Sequence, residues 1–268
     1  MAVVKVRLRK LAWLYRLNAK LKCWRTKRRY RTTLKHYAGM RPHNSDAPLA
    51  SLYAIKWREE QRCPRIFFMG TDEQQDQSGF VQALQRVADV EVFTREDGGW
   101  GQNDPAVYDV RRKRNTQRLW ALVSELSARG RTPDLLVTQT WGCLVEPEMF
   151  SRIRKSFSTL IVNIAMDDRH QYWGRKVNGR WDGTFPLIAH LDLTLTAAPE
   201  AVDWYRKEGG AALFFPEASD PDIFHPMPTL PKIHDVSFVG SRYGIREKLV
   251  AALRAEGIRT TAYGSGWE

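Results

Sequence analysis

Short apolar runs bounded by glycine, proline or charge recur along most of the chain, and apolar residues return at helical spacing between them. Arg65–Met69 (RIFFM) reads as a compact strand ending at Gly70, and Gly79–Val87 as the helix after it. Val90–Phe93 follows as a short strand, then a glycine-rich loop over Glu96–Pro105. Leu119, Leu122, Val123 and Leu126 share one side of a helix predicted over Asn115–Ala128. Asp134–Thr138 (DLLVT), Leu160–Ile164, Leu191–Leu195 and Ala212–Phe215 are further strands. Helices are expected over Glu146–Lys155 and after Pro199, a residue that suits a first helical turn. This alternation predicts an α/β fold, a Rossmann-like and mostly parallel sheet covered on both faces. Ligands of such sheets sit beyond the carboxyl ends of the strands, so the residues after each strand are the first place to look for chemistry.

Two breaks interrupt the alternation. Residues 41–50, with two prolines, read as a linker, and Pro226, Pro228 and Pro231 mark a second boundary. Beyond it a fresh unit begins: strand Val236–Val239 (VSFV), helix from about Arg246 to Glu256, strand Ile258–Ala262, then Gly264-Ser265-Gly266-Trp267. Three elements cannot bury a core alone, so either this unit docks onto the first sheet or it is the truncated start of a second Rossmann-like domain. The expected organisation is a tail over 1–45, a first domain over 64–226 and the second unit over 235–268.

The tail changes the picture most. From Leu8 to about Trp24, Leu11, Leu14, Leu17, Leu21 and Trp24 recur at helical spacing, with Lys10, Arg16, Lys20, Lys22 and Arg25 mostly on other faces. A basic amphipathic helix of this kind suits an anionic membrane surface. Docking on the body, pairing with a partner helix and nonspecific RNA affinity remain open alternatives. Residues 1–45 hold 14 Lys or Arg and no Asp or Glu. Without them the chain has 28 basic and 30 acidic residues, so its net charge of +12 belongs to the tail. The remainder has no basic stripe interleaved with aromatics, which argues against nucleic acid as a partner.

Composition is that of a globular protein, 43% hydrophobic and 27% charged. Basic residues interrupt every early apolar run, so neither a spanning helix nor a signal peptide is expected. A cytoplasmic protein, with peripheral contact at the inner membrane face through 1–45, follows. Cys23, Cys63 and Cys143 are far apart and odd in number, which gives no disulfide framework or zinc site.

Three segments after strands carry candidate chemistry. Asn163-Ile164-Ala165-Met166-Asp167-Asp168-Arg169-His170 offers two carboxylates and an imidazole, suited to a general base, a hydroxyl anchor or metal ligands. A helix N-terminus capped by Asp is the structural alternative. Phe214 to Pro226 is a rigid, proline-bounded exit in which Glu217 can approach a sugar or ribose hydroxyl. Phe238-Val239-Gly240-Ser241-Arg242-Tyr243-Gly244-Ile245-Arg246 runs from strand through Gly-Ser into a helix opening with arginine, an arrangement suited to anions.

Taken in order, these segments resemble the CgeB-like, spore-maturation type of bacterial glycosyltransferase. The similarity covers roughly residues 64–268. It rests on the Asp134–Thr138 strand with Trp141, Glu146 and Pro147; the Asn163, Asp167, Asp168 and His170 run; Phe215-Pro216-Glu217-Ala218 through Phe224-His225-Pro226; and Asp235–Ser241 leading to Tyr263-Gly264-Ser265-Gly266-Trp267. The resemblance implies GT-B architecture, with an acceptor-side domain first and a nucleotide-sugar domain second, and transfer of a sugar from a nucleotide-sugar to an acceptor hydroxyl. It implies no bound metal and no cofactor beyond the nucleotide-sugar co-substrate. Asp168 or His170, with Asp167 beside them, becomes the candidate for activating the acceptor. Gly70, Thr71, Trp141, Glu217, Ser241, Arg242 and Arg246 become candidates for substrate binding, Gly70 and Thr71 by letting backbone approach the sugar diphosphate and Ser241, Arg242 and Arg246 by facing its phosphates. The acceptor is left open; the basic amphipathic start would fit a cell-envelope or lipid-linked one held at the membrane face. The alternative is a non-catalytic half-enzyme that binds a glycan or a partner.

Overall fold

The computed structural model of the chain describes residues 2–40 and 62–267, with side chains in the first helix from residue 17 onward except Ala19. The expected linker at 41–50, and the side chains of Leu11 and Leu14 on the predicted apolar stripe, lie outside these residues. The chain divides into two compact units, one from Arg28 to Phe224 and one comprising 1–27 with 225–268.

The larger unit is an α/β domain built on a Rossmann-like parallel sheet. Its six strands are β1 (Arg65–Met69), β2 (Asp89–Val92), β3 (Leu135–Thr138), β4 (Leu160–Ala165), β7 (Leu193–Thr196) and β8 (Ala212–Phe214). They pair in the order β2-β1-β3-β4-β7-β8, every pair parallel. Alternation along β1 explains why both faces are apolar. Phe67 and Met69 pack with Leu119 and Val123 of one long helix (Tyr108–Ala128) and Phe150 and Ile153 of the next (Glu148–Phe157). Ile66 and Phe68 point the other way, with Val81, Val162 and Ile164.

Element order follows the pattern, while boundaries move where the pattern is silent. The long helix begins at Tyr108, well before Asn115, because its first turns (YDVRRKR) are charged and have no apolar period to reveal them. The first helix, α1, runs over Ala2–Ala38 rather than Leu8–Trp24; neither glycine nor proline occurs before Gly39 to stop it.

The expectation of a separate tail is corrected over the last turns of α1. Tyr37 is 2% exposed, its ring stacked at 17° on Trp204 and at 13° on Trp173. Its hydroxyl donates to Glu208 at 2.6 Å, and its carbonyl accepts from Lys207 at 2.8 Å. Thr33 is buried and Tyr30 donates to Glu200 at 3.0 Å. Aromatic burial outweighs the solubility of the flanking cations here, so residues 28–38 belong to the body.

In the smaller unit, β9 (Val236–Val239) and β10 (Thr260–Tyr263) pair in parallel across one helix, Arg246–Ala255. Val250 is buried beneath them, while Val239, Ile245 and Leu249 are exposed. Among the described residues no helix is long and apolar enough to cross a membrane.

Candidate functional site

The chain leaves β1 outward to β2 and returns across it to β3, so the β1/β3 gap is the switch point of the sheet. Gly70 and Thr71 stand there, but the gap is filled from within. Gln102 is fully buried and donates from Nε2 to the carbonyls of Met69 (2.9 Å), Gly70 (2.9 Å) and Gln139 (3.1 Å). The Thr71 amide is turned onto the buried Asp76 carboxylate at 3.3 Å, which also accepts Trp100 Nε1 at 2.7 Å. A Cβ on Gly70 would stand 1.9 Å from Asp76 Oδ2. Gly70 and Thr71 therefore approach a carboxylate of their own fold, which would repel the diphosphate they were expected to cradle. Burial raises the Asp76 pKa to about 6 against the bonds from Trp100 and Thr71.

At the carboxyl end of β4 the three candidate catalytic residues separate. Asp168 is 2% exposed and accepts three hydroxyls: Thr184 at 2.7 Å, Thr196 at 2.6 Å and Tyr205 at 2.8 Å. Burial raises its pKa to about 6, with the three hydroxyls opposing and the Asp167 charge adding. Saturated and enclosed, Asp168 ties the post-β4 turn to β7 and to the helix Pro199–Lys207. Asp167 and His170 sit on the same turn, exposed to solvent. Between them Arg169 forms a two-bond ion pair with Glu200, Nε to Oε1 at 2.6 Å and Nη2 to Oε2 at 3.1 Å. That pair and the Tyr30 hydroxyl hold the Glu200 pKa down to about 2.

The chain next forms a hairpin that the sequence reading did not anticipate: β5 (Lys176–Val177) and β6 (Arg180–Trp181), turned by Asn178 and Gly179 with φ of 50° and 81°. Its base is bonded to the loop after β3, Gly142 N to Gly183 O at 2.8 Å and Cys143 N to Asp182 O at 3.0 Å. Asp182, nearly buried, accepts Arg175 Nε at 3.0 Å. A Cβ on Gly183 would stand 1.9 Å from the Gln171 carbonyl, so only glycine allows this approach.

Between the hairpin and the first turns of the two long helices lies a groove of about 400 Å³. Trp181 and Phe185 supply aromatic wall, Tyr108 faces them, and Asp109, Arg112, Glu148 and Arg180 supply charge. Trp181 is 36% exposed and backed by Trp173 at 5.4 Å, itself 4.0 Å from Phe185. Arg112 is fixed by a 3.3 Å bond from Nε to the Val145 carbonyl. None of Asp167, Asp168, His170 or Trp141 lines this groove. Trp141 lies at the end of β3, its indole nitrogen buried without a partner among the described residues. Glu217 is exposed beyond β8. The Asn178-Gly179 pair was the signal that could have revealed the hairpin, since both residues tolerate the left-handed turn it needs.

In the smaller unit, two glycine-bearing loops lie together at the carboxyl ends of β9 and β10. The Arg242 amide donates to Ser265 O at 2.8 Å, and a Cβ on Gly264 would stand 2.8 Å from the Gly240 carbonyl carbon. Arg242 pairs with Glu247, and Arg246 bonds the Ser241 carbonyl at 2.9 Å with its guanidinium 3.9 Å from the Tyr243 ring centre. Arg246 thus reaches the Ser241 backbone, while the Arg242 guanidinium is held by Glu247. Among the described residues no group of three or more His, Cys, Asp or Glu is arranged to hold a metal ion.

No family model matches this chain, and neither does any curated protein.

Proposed function

We propose that this chain holds the acceptor for a glycosyltransferase of the GT-B, CgeB-like kind, which moves a sugar from a nucleotide-sugar to a glycan or lipid-linked hydroxyl. The observation that carries the reading is the composition of the groove. A pyranose has an apolar C–H face and a rim of hydroxyls; Trp181 offers a flat, half-exposed ring, while Asp109, Glu148, Arg112 and Arg180 offer acceptors and donors around it. The open α/β sheet and the order of motifs along the chain add support.

In the transfer, the acceptor hydroxyl loses its proton to a base as its oxygen attacks the anomeric carbon. The bond from that carbon to the nucleoside diphosphate breaks, and the diphosphate leaves with the bonding electrons. Asp167 and His170, exposed on the turn after β4 and outside the groove, are the candidates for the base of an acceptor that extends beyond the groove to that turn. Asp168 is assigned a positioning role beneath them, through its three hydroxyl partners. For the smaller unit by itself, Ser241, Arg242 and Arg246 suit the binding of a diphosphate, whose charge arginine and backbone amides would neutralise. A role for Gly70 and Thr71 in that task is not carried forward, because Asp76 and Gln102 occupy their polar groups.

The occupied switch point favours one second reading, a glycan-binding module without turnover. Incubating the chain with a panel of nucleotide-sugars and glycans, and following nucleoside diphosphate release and glycan binding together, separates the two. Release that depends on acceptor supports transfer. Binding that Trp181→Ala abolishes, without release, supports the module. Neither release nor binding across the panel rejects both.

A further inference from the structure

The described turns of α1 before the body-docked segment expose a mixed face that the sugar-transfer reading does not use. Leu17, Leu21 and Trp24 are 39%, 44% and 56% exposed. Their spacing of four and three residues puts them on one stripe of the helix. Lys20, Arg25 and Lys27 flank the stripe, all exposed. The helical period puts Tyr30, Thr33 and Tyr37 on the other side of the helix, so the residues that dock on the body and those of the stripe do not compete for one face. The same stripe continues toward Arg31 and Lys35, both exposed. No acidic residue occurs anywhere in 1–45.

We propose that this helix face binds an anionic lipid surface, with Leu17, Leu21 and Trp24 inserted at the headgroup level and the flanking cations among lipid phosphates. Charge complementarity selects the occupant. A second copy of this helix would set cations against cations, since 1–45 has no acidic residue. Nucleic acid would use the cations and could stack on Trp24, but would gain nothing from Leu17 and Leu21. An interfacial helix uses both: the apolar stripe enters the acyl boundary while Lys and Arg stems extend along it to the phosphates. Tryptophan favours that depth because its ring is apolar and its N–H stays near water. A helix with this few apolar positions lies in the interface, in keeping with the absence among the described residues of any helix apolar enough to span. The surface is independent of the sugar-transfer reading, and either can fail without the other.

The test is co-sedimentation of the full chain with vesicles of phosphatidylcholine alone, or with about one-third phosphatidylserine, at about 0.1 and 0.5 M salt. The expected result is binding to the serine-containing vesicles only, weakened at high salt. The triple substitution Leu17→Ser, Leu21→Ser, Trp24→Ser should lower that binding roughly tenfold or more, as should Lys20→Glu, Arg25→Glu, Lys27→Glu. All six residues are exposed, and an unchanged circular dichroism spectrum verifies the fold of each variant. Equal binding by wild type and the leucine–tryptophan variant overturns the proposal, since charge alone would then suffice. Binding to a random-sequence RNA that displaces the vesicles and is untouched by the same variant identifies nucleic acid as the occupant and also overturns it.

Discussion

Tyr37 donates its hydroxyl to Glu208 at 2.6 Å and meets the Tyr172 hydroxyl at 3.2 Å, which fastens the end of α1 to the end of the helix Pro199–Lys207. Burial first, and then the Glu208 bond, raises the Tyr37 pKa far above the ordinary tyrosine value, so this phenol stays neutral. Tyr37→Phe should cost about 1–2 kcal/mol by leaving Glu208 short of a donor. Tyr37→Ala should cost about 3–5 kcal/mol by emptying the slot between Trp173 and Trp204. Urea unfolding followed by tryptophan emission measures both. Equal effects of the two substitutions would show that the hydroxyl network, not the ring, holds the helix.

The buried Asp168 gives stability a pH dependence of definite sign. Its pKa is raised to about 6 from an ordinary 3.8, so the unfolded chain gives up this proton first as pH rises. Between those values the folded chain holds more protons, and stability falls with rising pH. The contribution is fully present below pH 3.8 and lost above about pH 6; Asp76 acts in the same window with the same sign. Glu200, lowered to about 2 from 4.5, stabilises fully above pH 4.5 and loses that contribution as pH falls toward 2, so it overlaps the window only between 3.8 and 4.5 and with the opposite sign. Asp168→Asn should reduce the change in unfolding free energy between pH 4 and 7 by about 2–3 kcal/mol. A pH profile indistinguishable from wild type would place the titration elsewhere.

Gly70 and Asp76 form a steric pair that a double-mutant cycle can read. Gly70→Ala puts a methyl 1.9 Å from Asp76 Oδ2 and should destabilise by about 1–3 kcal/mol. In an Asp76→Ala background the carboxylate is gone, and Gly70→Ala should cost well under half as much. Additive costs would mean the backbone at residue 70, rather than the carboxylate, rejects the side chain.

Asp167 and His170 separate chemistry from folding because both are exposed. If either is the base, Asp167→Asn or His170→Ala should lower transfer by roughly 100-fold with the melting temperature unchanged. Asp168→Asn should alter both, as expected of a residue with three buried hydroxyl partners. Wild-type transfer in both exposed variants removes the base assignment from this turn.

Trp181→Ala should weaken glycan binding about tenfold or more while costing only about 1–2 kcal/mol of stability, because the ring is 36% exposed at a hairpin edge and rests on Trp173 alone among the described core-side aromatics. Isothermal titration with the best glycan ligand, beside thermal melting of the same sample, makes the comparison. Unimpaired binding would move the acceptor out of this groove.

The sequence by itself determined the parts whose cause is local. RIFFM, DLLVT and VSFV are strands because short apolar runs ending at glycine or polar residues leave few other ways to bury them, and the intervening helices announce themselves by apolar period. The strand, glycine turn and helix that carry Ser241, Arg242 and Arg246 were likewise legible, since each is local. What the tertiary structure decided depends on partners distant in sequence. Asp167 and Asp168 are adjacent and chemically equal, yet one faces water and the other is enclosed by Thr184, Thr196 and Tyr205. Gly70 reads as an open phosphate turn until Asp76 and Gln102 are seen to fill it. Tyr37 reads as one more residue of a basic tail until Trp173 and Trp204 close around it. Pattern along a chain registers which face of an element is apolar; which groups meet across the fold is fixed by packing, and at these positions packing assigned the roles.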